Sequence, residues 1–186
     1  LASPTCSQLL GDLGCDVLKI ETPGAGDDTR KWGPPYAPAK GGGDTNESAY
    51  YLAANRNKRS VAIDIATAEG QALIRSLLES SDVLVQNFKA GSLARYGLDH
   101  ASLKDRFPGL VYCSISGFGQ TGPYADRAGY DYLAQGYGGI MSLTGAPDGE
   151  PMKVGIGIAD IMCGMYASSA ILAALHHKAR TGEGQH

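Results

Sequence analysis

The stretch Ser60-Val61-Ala62-Ile63-Asp64-Ile65-Ala66-Thr67-Ala68-Glu69-Gly70-Gln71-Ala72-Leu73-Ile74-Arg75-Ser76-Leu77-Leu78, followed by Asp82-Val83-Leu84-Val85, decides the fold class. Ser60 to Ile65 reads as a strand, and Asp82 to Val85 as a second. Between them, Thr67 is placed to cap a helix that runs to Leu78, with Glu69 in its first turn. A strand, a helix and a strand in that order form a crossover unit, which parallel strands require. The alternation continues outward in both directions. Leu1 to Leu13 has apolar residues at helical spacing with Gly14 as a stop, and Cys15 to Glu21 follows as a strand. Beyond Val85, short helices are expected near Ser92 to Tyr96 and Ala101 to Phe107, and a strand at Leu110 to Ser114. The predicted class is α/β, with an open, largely parallel sheet and flanking helices in a single domain spanning 1-186. No internal repeat or second-domain boundary is visible.

Thr22 to Glu47 reads as a long irregular loop. Its tip, Lys40 to Thr45, is expected to be disordered, whereas Asp27-Asp28-Thr29-Arg30-Lys31-Trp32 is too specific to be filler. Tyr130 to Leu143 looks helical, weakened by Gly136, Gly138 and Gly139, and Pro147-Asp148-Gly149 reads as a turn. Gly155-Ile156-Gly157-Ile158-Ala159 then leads into a long helix-favouring run that Gly182 ends. Asp160 falls in the first turn of that run. As a plain structural feature it would cap backbone N–H groups. As a functional one it is a carboxylate nucleophile whose charged form the helix terminus favours.

The chain has 186 residues, 43% hydrophobic and 19% charged, with a formal net charge of −3. That composition suits a globular domain and excludes a nucleic-acid binder that relies on a broad basic surface. Cys6, Cys15, Cys113 and Cys163 show neither C-x-x-C spacing nor a paired His, so no metal site or disulfide framework is expected. Reduced thiols fit a cytoplasmic location. No signal peptide is visible, and the uncharged run Ile161 to Leu175 is shorter than the roughly 20 residues that span a bilayer, so no membrane partner is expected and the run reads as a buried helix. The chain opens at Leu1 inside a helix-like segment and closes at His186 after a helix stop, so it is expected to be part of a longer protein.

Gly117-Phe118-Gly119-Gln120-Thr121-Gly122 matches a dinucleotide fingerprint after a predicted strand. The fingerprint needs a helix opening at its third glycine, and Pro123 follows instead, so the segment reads as a loop. Asn55-Arg56-Asn57-Lys58-Arg59-Ser60 is the densest positive cluster, either a solvated turn or a phosphate contact. Asn87-Phe88-Lys89 follows a strand, at the edge where open α/β sheets bind ligands. His176 and His177 lie near a helix end and are assigned no chemistry.

Taken in order, Leu13-Gly14-Cys15-Asp16-Val17-Leu18-Lys19-Ile20-Glu21, Gly26-Asp27-Asp28-Thr29-Arg30, Asn55 to Ser60, Asn87-Phe88, Ser116 to Pro123 and Thr181-Gly182-Glu183-Gly184-Gln185 resemble the class III CoA-transferases. The resemblance runs the whole length of the chain and corresponds to the N-terminal portion of that family without its first strand. It implies a Rossmann-like fold within an interlocked homodimer, with coenzyme A and acyl-CoA as substrates, a small carboxylic acid as partner, and no tightly bound cofactor. It implies Asp160 as the nucleophile. The carboxylate attacks an acyl-CoA thioester to give a mixed anhydride, CoA thiolate returns to form an aspartyl-CoA thioester, and an acceptor acid reverses the sequence. By the same matching, Ile63, Asn87, Phe88 and Arg95 fall where the family contacts CoA. Trp32, Tyr50 and Tyr130 fall where formyl-CoA transferase lines its acyl pocket.

Departures from that pattern also carry information. Thr22, Ala66 and Ala128 stand where formyl-CoA transferase has basic residues, and Leu1 where it has a glutamine, so CoA phosphates would need Arg56, Lys58 or Lys89. α-Methylacyl-CoA racemase, a related fold, is the rival: it pairs the aspartate with a histidine in an Ala-Gly-His-Asp motif, where this chain has Ala128-Gly129-Tyr130-Asp131. A tyrosine, with an ordinary pKa of about 10, is a poorer neutral-pH base than histidine, which favours transfer. An inactive CoA-binding fragment is the third reading. Gly24 to Arg30 with Trp32-Gly33-Pro34-Pro35 is most similar to succinyl-CoA:glutarate-type members, which points to a dicarboxylate acceptor.

Overall fold

A computed structural model describes residues 1–186 apart from the side chain of Asn46. In chain order its elements are α1 (Ala2–Asp12), β1 (Val17–Glu21), β2 (Tyr36–Pro38), β3 (Asp44–Ser48), α2 (Ala49–Asn55), β4 (Lys58–Ala62), α3 (Ala68–Leu78), β5 (Val83–Gln86), α4 (His100–Leu103), β6 (Val111–Ser114), α5 (Asp131–Tyr137) and α6 (Ile158–Thr181). Short 3-10 turns lie at Asp28–Lys31, Ala94–Tyr96 and Ile140–Ser142.

The strand, helix and strand that set the class are present as β4, α3 and β5. Thr67 caps α3, accepting the Gly70 N–H at 3.0 Å through its hydroxyl. Strands pair in parallel: β1 with β4, from Val17 opposite Lys58 to Glu21 opposite Ala62, and β5 with β6, from Val83 opposite Val111 to Gln86 opposite Ser114. Hydrogen bonding divides them into these two pairs, while α3 carries the chain from one pair to the other.

Helices cover both sides of the β5–β6 pair. On one side Ile74 and Leu78 of α3 and Leu103 of α4 pack with Ile63, Leu93, Leu98, Leu110 and Tyr112. On the other, Ala2, Cys6 and Leu10 of α1 pack with Val111, Ile115, and Ile171 and Ala174 of α6. Each fully buried Ile or Leu side chain contributes roughly 1.5–3 kcal/mol, so these two clusters hold the layers together. Where α1 and α6 cross, Gly164 allows the contact. A Cβ there would lie 2.6 Å from the Ala2 carbonyl oxygen and 2.8 Å from the Thr5 Cβ.

Three expectations change. The region expected to be a loop with a disordered tip is an ordered antiparallel ribbon of β2 and β3, whose turn is closed by Ala39 N–H to the Gly43 carbonyl at 3.0 Å. The helix expected from Tyr130 to Leu143 stops at Tyr137, because Gly139 takes a positive φ of 78° and starts a separate 3-10 turn. The long apolar run is not a fully buried helix. Gly164, Ser168, Ile171 and Ala174 of α6 are buried, while Met162, Met165, Tyr166 and Leu172 are exposed. By length and composition α6 would be long and apolar enough to cross a membrane.

Candidate functional site

Asp160 sits in the first turn of α6, as its position in the sequence suggests, but its carboxylate is not the cap of that helix. The N-cap residue is Gly157, which has no side chain to offer. The Asp160 N–H instead donates to Asp131 Oδ1 on α5 at 3.0 Å. The other oxygen of Asp131 accepts from Gln135 Nε2 at 2.6 Å. Gln135 is 1% exposed, and its Oε1 accepts the Val154 N–H at 2.8 Å. The Asp160 carboxylate is left partly open, with its side chain 30% exposed and Oδ2 lying 2.7 Å from the Leu1 nitrogen.

Trp32 and Tyr50 form a tilted aromatic pair, with ring centroids 5.2 Å apart. Burial raises the Tyr50 hydroxyl pKa, and the carboxylates of Asp160 and then Asp131 raise it further. The phenol therefore senses both aspartates. Tyr130 directly precedes Asp131, and its side chain is 73% exposed.

A buried ion network builds the platform under Trp32 and Tyr50. Glu21, at the end of β1, has a side chain only 5% exposed. It accepts from Arg30 Nε at 2.9 Å and Nη2 at 3.0 Å, from Ser60 Oγ at 2.7 Å, from the Asp27 N–H at 2.8 Å and from Tyr51 Oη at 3.1 Å. Burial alone would raise its pKa, but hydrogen bonds from Arg30, Ser60 and the Asp27 backbone hold it down at about 2. The Arg30 guanidinium also lies over the Tyr51 ring, 3.9 Å from its centroid. Asp27 in turn accepts from the Thr29 N–H at 2.8 Å and so starts the turn that delivers Trp32. Ser48 Oγ donates to the Thr29 carbonyl at 2.5 Å and accepts the Tyr51 N–H at 3.0 Å, capping α2. One hydroxyl thereby ties the Trp32 turn to the helix that carries Tyr50.

The residues expected at CoA form a second group at the carboxyl end of β4 and β5. Asn87 and Phe88 are exposed, and the Phe88 N–H donates to Gln86 Oε1 at 2.8 Å. Arg95 is exposed, its guanidinium 4.6 Å from the Tyr96 centroid. Ile63 is 6% exposed and packs in the core, and its N–H donates to the Glu21 carbonyl at 3.0 Å. Among the described residues no hydrogen bond or ion pair joins this group to Asp160.

Two of the candidate phosphate cations are committed elsewhere. Arg56 pairs with Asp12, and Lys58 Nζ donates to the carbonyls of Pro4 and Ala54, each at 2.8 Å, and to Asn55 Oδ1 at 3.1 Å. The cluster clamps α1 and α2 together, and burial pushes the Lys58 pKa down to about 7. Lys89 is exposed and, unlike Arg56, makes no ion pair among the described residues; it lines a cleft of about 210 Å³ with Gln86, Asp99, His100, Ser114 and His186. The glycine-rich segment is a loop, as Pro123 indicated.

The model of CoA-transferase family III matches residues 1–186. A succinate–glutarate CoA-transferase of Agrobacterium fabrum is 56% identical over 186 residues, covering 100% of this chain and 46% of the relative. The human succinyl-CoA:glutarate CoA-transferase is 45% identical over 184 residues, covering 99% of this chain and 40% of the relative. The crystal structure of a CAIB/BAIF family protein from Brucella suis superposes with a TM-score of 0.94 at 55% identity, covering 100% of this chain and 48% of that one. The chain spans less than half the length of these relatives, and it belongs to CoA-transferase family III.

Proposed function

We propose that the protein containing this chain moves CoA from an acyl-CoA, such as succinyl-CoA, onto a free dicarboxylic acid through an aspartyl thioester on Asp160. The observation that carries this reading is the division of roles between two aspartates: Asp131 takes the helix N–H, so the Asp160 carboxylate is not spent on its own helix and stays 30% exposed, with Oδ2 meeting the Leu1 nitrogen and its charge acting on Tyr50. A carboxylate in that position can attack a thioester carbonyl and release CoA thiolate, forming an anhydride. The thiolate then attacks the Asp160 carbonyl carbon, expels the donor acid and leaves CoA on Asp160. An acceptor carboxylate attacks that thioester in turn, and the steps reverse. The dicarboxylate is supported by relatives named for glutarate, D-citramalate and mesaconate.

In this reading Asn87, Phe88, Arg95 and Lys89 receive the nucleotide end of CoA, and its arm runs to Asp160. Exposed Tyr130 in place of a histidine supports transfer over α-proton exchange. A homodimer in the cytoplasm completes the proposal; free thiols at Cys6, Cys15, Cys113 and Cys163 are consistent with such a compartment.

The test uses the full-length protein with succinyl-CoA and glutarate. Hydroxylamine added during turnover should modify Asp160, and Asp160→Ala should abolish both the modification and CoA exchange. Exchange that survives the substitution, or a label at another residue, rejects the mechanism.

A further inference from the structure

A helix begins with N–H groups that have no intrahelical acceptor, and a side chain at the helix start ordinarily satisfies one of them. In α6 that acceptor comes from another helix, through a chain of three residues with a fixed polarity. The Val154 N–H can only donate, so it takes the oxygen of the Gln135 amide at 2.8 Å. That leaves Gln135 Nε2 to donate to Asp131 Oδ2 at 2.6 Å and, with its other hydrogen, to the Ile156 carbonyl at 3.3 Å; the first bond aims Asp131 Oδ1 at the Asp160 N–H 3.0 Å away. Gln135 is 1% exposed, so its amide has no water to turn toward.

We propose that Asp131, oriented by Gln135, is a positioning residue that holds the Asp160 backbone and keeps the Asp160 carboxylate from folding back onto its own helix. An aspartate in the first turn of an uncapped helix is itself the nearest anionic acceptor for the free N–H groups. A carboxylate engaged there is turned away from the aromatic pair and from an incoming thioester. Asp131 is one hydrogen bond from the Asp160 backbone, so its placement bears directly on the reacting group. The inference rests on Asp160 being the nucleophile.

The experiment compares full-length Asp131→Ala, Asp131→Asn and the double variant Asp131→Asn with Gln135→Glu. Asparagine alone sets its amide N–H₂ against Gln135 Nε2, two donors facing each other. Adding Gln135→Glu restores the pairing along this path at the loss of the 3.3 Å bond to the Ile156 carbonyl: the introduced asparagine amide donates to the introduced glutamate, whose second oxygen accepts the Val154 N–H, and the asparagine oxygen accepts from the Asp160 N–H. Both single variants should lose about 10–100-fold in kcat, the scale of a misplaced reacting group, while the acyl-CoA KM stays within about threefold. Hydroxylamine labelling of Asp160 should fall in parallel, and the double variant should recover most of it. If Asp131→Ala does not fold, the Asp131→Asn single and double variants carry the comparison.

Full activity in Asp131→Asn, or a double variant no better than that single one, overturns the positioning role. Those outcomes leave the Asp160 reading intact as long as Asp160→Ala is dead. If Asp160→Ala still exchanges CoA, both ideas fall together.

Discussion

Glu21 permits a quantitative test of how the acyl platform is held. Its carboxyl sits at about 2 against an ordinary 4.5, and a depression of that size contributes about 3 kcal/mol to stability at neutral pH. The sign follows from the direction. The folded chain binds the Glu21 proton less tightly than the unfolded chain, so the contribution is complete above pH 4.5 and disappears as pH falls from 4.5 toward 2. Glu21→Gln removes the charge while keeping the shape and leaves Arg30 without its bidentate partner. Urea titration of wild type and variant should therefore show a difference of about 3 kcal/mol at pH 7 that shrinks progressively below pH 4.5. The Asp27–Trp32 turn should also lose hydrogen-exchange protection, since the Asp27 N–H donates to the same carboxylate. A penalty under about 1 kcal/mol at pH 7, or one independent of pH, would refute the network as the support of Trp32.

Two further changes probe the frame. Gly164→Val puts carbon within 3 Å of the Ala2 carbonyl and Thr5 at the α1–α6 crossing, and should destabilise the protein by about 1–3 kcal/mol in thermal melts. Lys58, pushed by burial to about 7, holds its proton less tightly when folded than when unfolded. Stability should therefore rise as pH goes from about 7 toward 10.5, and Lys58→Met should flatten that rise; a variant with the wild-type slope would assign the pH dependence to another group.

What could be read in the sequence depended on whether its cause was local. The α3 cap at Thr67, the parallel strands and the stop at Gly182 follow from residues within a few positions of each other. The α2 helix went unread, although Ser48 precedes Ala49-Tyr50-Tyr51-Leu52-Ala53-Ala54, because it follows a segment rich in proline and glycine. The β2–β3 ribbon offered little alternation of apolar and polar residues to reveal it. For the site, motif order singled out Asp160, Trp32 and Tyr50, which the structure brings together. It missed Glu21, Ser48, Tyr51 and Gln135, each of which has at least one partner 19 to 39 residues away besides its nearer ones. The charged run at Arg56 to Arg59 misled for the same reason. Its distant partners, Asp12, Asp16 and the carbonyl of Pro4, come from the first sixteen residues, beside local ones at Ala54 and Asn55.

The glycine-rich loop after β6 shows how a sequence signature can serve geometry without binding a nucleotide. A Cβ on Gly117 would lie 2.3 Å from the Gly129 Cα, and one on Gly129 equally close to the Gly117 Cα. The two backbones touch, closing the loop at its base. Inside it, Phe118 packs edge-on against Tyr124 at 5.6 Å and against Tyr137 of α5 at 5.7 Å, and Arg127 covers Tyr124 at 4.2 Å. Because the chain leaves and re-enters at one point, the residues after Gly129 begin at the end of β6 whatever the loop contains. Tyr130 and Asp131 come next, and Asp131 meets the Asp160 N–H. The position of Asp160 is thus referred back to the sheet edge through one glycine contact and one hydrogen bond. That path needs glycine at 117 and 129 for close approach, which is a different physical demand from making room for a pyrophosphate.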